Sequence, residues 1–316
     1  MKKLLSFIIP CYGSEKTVSF VIDEICKTVK ERSHEYDYEI IAVNDCSPDD
    51  VWGVLLNLSD SNKKIKLVGL AKNMNRPGAV MAGLRMSSGD IAIILDDDGQ
   101  CPMDHLWDLI APIETGYDVS TAAYPKRKQS AFKDFGTYVN KKMTQFILNR
   151  PKGLEFTNFL AMRRYIVEEV CRYNNPYPYM TGLLLRTTHR ITSVPMEERS
   201  RISGRSTFTF KKMMGMWMNG LTAFSIKPLR LASLLGMITA LAGFVFAAFI
   251  VIRKLVDPEI AVGYSSIMAV ILLIGGVLML LLGMVGEYLG RVYISINSSP
   301  QYVIRDVVNF DEGKEQ

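Results

Sequence analysis

Two long stretches without charged residues, near the carboxyl end of the chain, constrain its fold more than any other feature. Residues 231–252 form a run of 22 uncharged residues and residues 260–286 a run of 27. About 20 helical residues cross the hydrocarbon core of a bilayer, and a soluble helix of this length usually keeps a polar face. We therefore expect a hairpin of two transmembrane helices, at about 231–252 and 264–286.

The remaining composition excludes several classes of protein. The 316 residues are 48% hydrophobic and 22% charged, which is enough apolar surface to bury a core. The five cysteines are scattered without a C-x-x-C pair, so we expect reduced thiols facing the cytoplasm rather than a disulfide framework or a zinc site. The net charge is only +5, and we expect no nucleic-acid partner because the apolar spans explain the basic and aromatic residues beside them.

Residues 1–125 alternate short apolar runs with helical patterns. The patterns predict strands at 4–9, 38–43, 65–70 and 91–95, and helices at 17–30, 49–58 and 77–86. These strands are continuously apolar, as strands covered on both faces must be. We expect an α/β domain in which a mostly parallel sheet lies between helix layers and binds its ligands at the carboxyl ends of the strands.

Acidic residues follow the fourth predicted strand, at Asp96, Asp97 and Asp98. Three adjacent carboxylates repel one another, and a divalent cation relieves that repulsion most simply. Because side chains alternate along an extended chain, Asp96 and Asp98 should share one face while Asp97 points away. The pattern favours an oxygen site for Mg²⁺ or Mn²⁺ completed by substrate phosphate oxygens. An acidic turn without a ligand is the alternative.

Short motifs along the chain occur in a specific order. They are 6–12 (SFIIPCY) with Glu15, 43–47 (VNDCS), Asn73, and Asp96-x-Asp98. This order resembles the family 2 glycosyltransferases of GT-A fold. Arg201-x-x-Gly204-x-Ser206 and the two spans narrow the resemblance to the polyprenyl-phosphate glycosyltransferases, the group of dolichol-phosphate mannose synthases and bacterial undecaprenyl-phosphate sugar transferases.

The resemblance implies a GT-A (Rossmann-like) fold, a UDP- or GDP-sugar donor, Mg²⁺ or Mn²⁺, and a polyprenyl phosphate acceptor. It also implies site residues. Donor binding is expected at Pro10, Tyr12, Glu15, Asn44, Asp45, Asn73, Asp96 and Asp97. Metal binding is expected at Asp96, Asp98 and Gln100. The acceptor phosphate is expected at Arg127, Lys133, Arg201 and Ser206. Catalysis is expected to depend on Asp98, Arg201 and Glu155.

The chain departs from the family pattern at three positions. Asn44 replaces the first acid of the usual D-D pair, yet its amide still exchanges hydrogen bonds with a base edge. Asn75 replaces a glycine, and asparagine tolerates the left-handed backbone conformation that a glycine would supply. Glu155 aligns with the acid that precedes an S-G-F or G-D-F segment, with a solvated loop charge as the alternative.

Basic stretches at 126–152 and 199–230 lie before the predicted hairpin, and 208–224 mixes lysines with aromatic residues and methionines. This mixture is typical of an amphipathic helix in the membrane interface. We expect a glycosyltransferase domain at 1–206, an interfacial amphipathic helix at 207–228, two transmembrane helices within 229–290, and a cytoplasmic tail at 291–316 that packs back as a strand.

The sequence thus predicts an inverting, metal-dependent glycosyltransferase that makes a polyprenyl-phosphate-sugar, with undecaprenyl phosphate as acceptor, for modification of cell-envelope glycans. Because sugar nucleotides are cytoplasmic, we expect a multi-pass protein of the inner (plasma) membrane whose catalytic domain faces the cytoplasm. We also expect a homo-oligomer such as a tetramer. Two alternatives remain open: a family 2 transferase with another lipid acceptor such as diacylglycerol, and a membrane-anchored nucleotide-binding protein without turnover.

Overall fold

The computed structural model describes residues 2–124, 145, 150–151, 153–176, 178–200, 202, 227–256, 263–297 and 300–310. The chain divides into two compact units. One unit comprises Met1–Met213 with Ser298–Gln316, and the other comprises Met214–Asn297.

The first unit is built on an eight-stranded sheet with the order β7-β5-β6-β4-β1-β2-β3-β8. Its centre, β4-β1-β2-β3, is entirely parallel, whereas β6 pairs antiparallel with β4 and β5, and β8 antiparallel with β3. The strands are β1 Lys3–Cys11, β2 Tyr36–Asn44, β3 Ile65–Leu70, β4 Ile91–Ile94, β5 Val119–Ala123, β6 Leu160–Arg163, β7 Ile191–Pro195 and β8 Ile304–Val308.

Helices connect these strands and cover both faces of the sheet. A short 3₁₀ turn at Met103–His105 precedes α4. The helices of this unit are α1 Val18–Glu31, α2 Val51–Ser61, α3 Asn75–Met86, α4 Leu106–Glu114, α5 Arg164–Cys171 and α6 Met180–Thr187. All seven elements predicted before residue 96 are confirmed, with small differences at their ends, and the returning tail strand is confirmed as β8.

Alternate residues of the central strands enter two separate cores. On one face, Ile40 and Ala42 of β2 pack in the cluster that contains residues of α1, α2 and α4. On the other, Ile41 and Val43 pack against α3. The central strands are therefore buried on both faces, which explains why their sequences are continuously apolar.

The second unit contains two long helices, α7 Lys227–Val256 and α8 Tyr264–Ile296. Among the described residues, one helical stretch, Leu273–Ile296 within α8, is long and apolar enough to cross a membrane. It overlaps the predicted span at 264–286. The apolar part found in α7, Ala232–Phe246, is shorter than a span, so the span at 231–252 stays a prediction.

Candidate active site

The loops that follow the four central parallel strands meet at one edge of the sheet. Hydrogen bonds join each loop to its neighbour in the strand order. Tyr12 N–H, after β1, donates to Asp97 Oδ2 after β4 at 3.0 Å. Asp45, after β2, accepts at Oδ1 from the N–H of Met74 after β3 at 2.6 Å. This edge therefore brings together the motifs predicted to form the site.

The loops after β1 and β2 form one hydrogen-bonded layer. Gly13 N–H donates to Ser47 Oγ at 2.8 Å and Glu15 N–H to Asp49 Oδ2 at 2.9 Å. Ser47 N–H in turn donates to Asn44 Oδ1 at 2.9 Å. The Asn44 amide that replaces the family's first acid thus shapes this loop through its oxygen.

Asp45 is the most buried of the predicted donor-binding acids, with 2% of its surface exposed. Burial raises the pKa of Asp45 to about 6, although hydrogen bonds from the N–H groups of Met74 and Asn75 oppose the rise. Asn75 has φ +59°, which confirms the predicted left-handed conformation. Its N–H donates to Asn73 Oδ1 at 3.1 Å, so Asn73 helps to form the turn into α3.

Asp97 faces the loop after β1 through its bond to Tyr12. Burial raises the pKa of Asp97 to about 6; the charges of Asp96 and Asp98 add to the rise, while the Tyr12 N–H opposes it. The Tyr12 side chain itself is 52% exposed and is accessible to a ligand. Pro10 lies in β1, two residues before it, in register with β2.

Asp96 contacts different partners from Asp97. Arg76 Nε donates to Asp96 Oδ1 at 2.6 Å, and Asn158 Nδ2 donates to Asp96 Oδ2 at 2.6 Å. Arg76 Nη2 also donates to the backbone oxygen of Asn158 at 3.3 Å. We call Arg76, Asp96 and Asn158 the arginine triangle.

Asp98 begins a tight turn. Gln100 N–H donates to Asp98 Oδ1 at 3.1 Å, and Gly99 between them has φ +74°, a conformation that glycine adopts at little cost. The Gln100 amide nitrogen donates to Glu198 Oε1 at 3.0 Å and to the backbone oxygen of Arg199 at 3.2 Å. These bonds orient the Gln100 amide and join the turn to the segment before residue 201.

The donor set at this turn fits a hard divalent cation. Asp96, Asp97 and Asp98 place three carboxylates in succession, and their mutual repulsion contributes to the raised pKa of Asp97. Mg²⁺ and Mn²⁺ prefer such oxygen ligands and often take only one or two from protein. Within the described part of the chain, no group of three or more His, Cys, Asp and Glu side chains is arranged to hold a metal.

Glu155 lies in the segment that leads into β6. Its N–H donates to Ser193 Oγ at 2.9 Å, and Ser193 Oγ donates to its backbone oxygen at 3.1 Å, so β7 holds the segment in place. Its carboxylate interacts electrostatically with Arg150. The catalytic role of Glu155 stays a prediction.

The other predicted residues lie outside the described ranges. They are the acceptor-phosphate residues Arg127, Lys133, Arg201 and Ser206, and most of the interfacial helix at 207–228.

Sequence reasoning missed Arg76 and the structural roles of Ser47, Asp49 and Asn158. A signal was available for Arg76, since it is a basic residue directly after the loop that carries Asn73, at the edge that also carries three acids. Nothing local to Asn158 indicates that it contacts Asp96, because that contact depends on β6 returning beside β4.

The eight-stranded sheet and the loops that meet at the carboxyl ends of its central strands are those of a GT-A-like glycosyltransferase. The sequence profile described as glycosyl transferase family 2 matches residues 6–171, and the chain belongs to this family. A second profile, described as the GtrB C-terminal hairpin, matches residues 227–292, the part that contains α7 and most of α8.

Relatives match over nearly the whole chain. The undecaprenyl-phosphate 4-deoxy-4-formamido-L-arabinose transferase of Yersinia enterocolitica is 30% identical over 313 residues, covering 98% of this chain and 95% of the relative. The uncharacterized glycosyltransferase YkcC of Bacillus subtilis is 28% identical and covers 95% and 93%. The chain is therefore a glycosyltransferase whose similarity to these relatives includes the C-terminal helices.

A solved structure shares the fold. Glucosyl-3-phosphoglycerate synthase from Mycobacterium tuberculosis, in complex with Mn²⁺, UDP-glucose and phosphoglyceric acid, superposes with a TM-score of 0.51 at 17% identity. The match covers 70% of this chain and 78% of that chain. At this identity the likeness concerns the fold alone.

Proposed function

We propose that the chain transfers a sugar from a nucleotide-sugar donor to undecaprenyl phosphate, giving a polyprenyl-phosphate-sugar for cell-envelope glycan modification. One observation carries the proposal: the loops with the family's motifs are hydrogen-bonded at the carboxyl edge of β4-β1-β2-β3. The similarity to an undecaprenyl-phosphate sugar transferase over 98% of the chain supports the acceptor.

The donor is proposed to bind on the loops after β1, β2 and β3. Tyr12 is exposed there. Asn44 is the last residue of β2 and Asp45 directly follows it, and both are buried. Pro10, Glu15, Asn73 and Asp97 complete the donor-binding set. Asp97 acts by holding the backbone of Tyr12, so its loss should loosen the loop that receives the base and ribose.

Asp98 and the oriented Gln100 amide are proposed to hold a Mg²⁺ or Mn²⁺ ion. When bound, the ion supplies a Lewis acid that neutralises negative charge on the departing nucleoside diphosphate. The neighbour of like fold contains Mn²⁺ with UDP-glucose, which supports this assignment. Positive φ at Gly99 lets the chain turn so that Asp98 and Gln100 lie close to each other.

The acceptor needs positioning more than activation. A phosphate monoester has a second pKa of about 6, so it is largely dianionic at pH 7 and already nucleophilic. One of its oxygens forms a bond to the anomeric carbon while the bond from that carbon to the diphosphate oxygen breaks, and the nucleoside diphosphate leaves with the electron pair. This single displacement inverts the anomeric carbon. Arg201, Arg127, Lys133 and Ser206 are the proposed phosphate ligands, since arginine forks bind phosphate oxygens in pairs, and Glu155 is the proposed additional catalytic acid.

The membrane arrangement is part of the proposal. The catalytic domain is assigned to 1–206, the interfacial helix to 207–228, and a two-helix hairpin to 229–290, with the tail at 291–316 returning to the catalytic domain. The apolar stretch Leu273–Ile296 and the hairpin profile support it. The lipid acceptor and the cytoplasmic donor then require an inner-membrane protein whose catalytic domain is cytoplasmic. A homo-oligomer such as a tetramer is proposed on the resemblance to the family alone.

The test is incubation of membranes containing the full chain with a panel of radiolabelled UDP- and GDP-sugars. The proposal expects label in a lipid that mild acid cleaves, because a glycosyl phosphate is acid-labile. Label in an alkali-labile lipid would identify a diacylglycerol acceptor instead. Absence of label with every donor, from folded protein, would indicate a nucleotide-binding protein without turnover.

Membranes with the Asp98→Asn variant are the matched control, because this change keeps the size of the side chain and removes its charge. Label that enters lipid equally with this variant comes from another enzyme of the membrane. Expression levels and melting temperatures of the two proteins should agree before their label is compared.

A further inference from the structure

Residues 300–310, which we call the β8 segment, border the loop of residues 71–75 that follows β3. The strand of this segment pairs antiparallel with β3. Just past the end of β3, the N–H of Ala71 donates to the backbone oxygen of Val303 at 2.9 Å. The β8 segment is therefore bonded to the first residue of the loop that carries Asn73, a proposed donor-binding residue.

Met74, later in the same loop, packs beside the β8 segment. Its side chain lies against the buried cluster that contains Leu70 and Ala79, and the ring of Tyr302 lies against the same cluster. The N–H of Met74 donates to the buried carboxylate of Asp45 at 2.6 Å. The placement of Met74 therefore decides whether this donor-binding acid keeps its hydrogen bond.

Gly78 is the point at which α3 contacts both Met74 and the β8 segment. A Cβ at this position would lie 2.7 Å from Met74 Cβ and 3.2 Å from the backbone oxygen of Gln301. Carbon atoms in contact stay about 3.5–4.0 Å apart, so the two neighbours leave no room for a side chain. Met74, Gly78 and Gln301 thus form one continuous contact, which a displacement of Gln301 would loosen.

Gln301 is anchored by its side chain. Only 5% of its surface is exposed, and its Nε2 donates to the backbone oxygens of Tyr173 and Asn175, each at 2.7 Å. Arg85 of α3 donates to the same oxygen of Tyr173 at 3.1 Å and to the hydroxyl of Tyr302 at 3.3 Å. Gln301 is therefore fixed to a stretch of backbone that α3 itself holds in place.

Asn309 anchors the opposite end of the β8 segment in the same way. Its Nδ2 donates to the backbone oxygens of Ser59 at 3.0 Å and Ile65 at 2.8 Å. Ile65 begins β3, so this anchor lies at the end of the strand remote from the loop of residues 71–75. Each of the two amides holds the segment with two hydrogen bonds, but Gln301 is the one on the side of the loop.

We propose that Gln301 is a positioning residue for donor binding. It holds the β8 segment against Gly78 and so keeps Met74 bonded to Asp45. The loop of residues 71–75 is thereby fixed in the shape that binds the nucleotide. The proposal rests on the proposed function, because the donor is taken to be a nucleotide sugar that binds on this loop. It makes a segment that follows the C-terminal helices part of the donor site, although the segment contributes no proposed donor ligand.

Calorimetric titration of purified full-length protein with UDP and with GDP, in the presence of Mn²⁺, tests the proposal. A loosened loop is competent to bind for only a fraction of the time, and the dissociation constant rises as that fraction falls. Gln301→Ala removes two hydrogen bonds, each of which changes an equilibrium constant by about a factor of five. Because the segment itself absorbs part of this loss, we expect a dissociation constant about fivefold higher. Gly78→Ala displaces Met74 directly and should raise it about tenfold or more. An unchanged dissociation constant in Gln301→Ala would overturn the proposal.

Asn309→Gly is the matched control. It also removes two hydrogen bonds to backbone oxygens, and glycine readily adopts the φ of +63° found at this position. We expect this variant to bind the nucleotide as tightly as the wild type, even though its melting temperature falls. Equal weakening of nucleotide binding in Asn309→Gly and Gln301→Ala would show that the segment acts only through overall stability, which contradicts the proposal. All titrations are made at a temperature at which circular dichroism shows each variant to be folded.

Amide hydrogen exchange adds a readout that needs no nucleotide. The N–H groups of Met74 and Asn75 donate to the Asp45 carboxylate and should exchange slowly in the wild type. Gln301→Ala should speed their exchange, whereas Asn309→Gly should not. Unchanged exchange in Gln301→Ala, or equally fast exchange in Asn309→Gly, would overturn the proposal. If neither UDP nor GDP binds even the wild type, the proposed function fails, while this comparison still decides whether Gln301 holds the loop.

Discussion

Replacing Glu39 by glutamine should destabilise the catalytic domain strongly, because Glu39 is a buried charge at the centre of a polar network. Only 3% of its surface is exposed. Its carboxylate accepts from Lys66 Nζ at 2.7 Å, from Ser6 Oγ at 2.5 Å and from Ser88 N–H at 2.6 Å. The network joins β1, β2 and β3 to the turn between α3 and β4.

The size of the effect follows from the partners that lose their acceptor. Breaking a buried ion pair by removing one partner costs about 3–5 kcal/mol, and Lys66, at 21% exposure, still reaches some water. Glutamine also retains one acceptor oxygen. We therefore expect a loss of about 3 kcal/mol, at the lower end of that range. For a domain of this size it corresponds to a fall of about 6–12 °C in the melting temperature.

The assay is thermal unfolding of the full-length protein followed by tryptophan fluorescence, with Asp60→Asn as control. Asp60 forms an exposed pair with Lys63 at 3.5 Å, and its loss should cost less than about 0.5 kcal/mol. An equal melting temperature for Glu39→Gln and wild type would refute the reasoning.

The pH dependence gives a second check on Glu39. Burial alone would raise the pKa of Glu39, but hydrogen bonds from Lys66, Ser6 and Ser88 outweigh it and hold the pKa below its ordinary value. The stabilisation by the carboxylate is therefore present above the unfolded pKa of about 4.3 and is lost as pH falls through the lower folded pKa. The difference between wild type and variant should shrink in acid, and a difference that grows there would contradict the account.

Three further predictions concern the packing of the same domain. Gly83→Ala would place a Cβ 2.5 Å from Ile8 Cγ2 and should cost about 1–3 kcal/mol in unfolding experiments; an unchanged stability would show that α3 shifts freely. Burial raises the pKa of Asp45 to about 6, so wild type should lose stability relative to Asp45→Asn as pH rises from about 4 through that value, in melting scans across pH. Gln301 Nε2 donates to two backbone oxygens of residues 173–175 at 2.7 Å, and Gln301→Ala should speed amide hydrogen exchange in β8.

The central sheet was predictable from the sequence because parallel strands buried on both faces must be continuously apolar. The predicted bounds of β3, 65–70, agree with the structure. Because the carboxyl ends of parallel strands lie at the same edge of a sheet, the sequence also predicted that the polar residues after these strands lie close together, and hydrogen bonds join their loops there. The backbone conformation of Asn75 was also predictable. Asn75 stands where the family pattern has a glycine, which indicated the left-handed conformation that it adopts.

The partners of Asp96 were not predictable in this way. Alternation along an extended chain separates Asp97 from its neighbours, as the structure has it, but it treats Asp96 and Asp98 as equivalent. Their difference comes from Arg76 and Asn158, which approach from other elements. Such contacts depend on how β6 returns beside β4 after a connection of more than thirty residues, and no local pattern encodes that path.

Sugar transfer by the purified full-length protein tests the central claim most directly. The measurement is the initial rate at which label from the donor selected in the panel enters undecaprenyl phosphate, alongside the nucleoside diphosphate released. We expect one nucleoside diphosphate per lipid-linked sugar, and a rate about 100-fold or more lower in Asp98→Asn because the leaving diphosphate loses its charge stabilisation. Glu169→Gln, at an exposed ion pair with Arg172, should transfer at the wild-type rate. Transfer by folded Asp98→Asn at the wild-type rate, or nucleoside diphosphate release without a lipid product, would contradict the account.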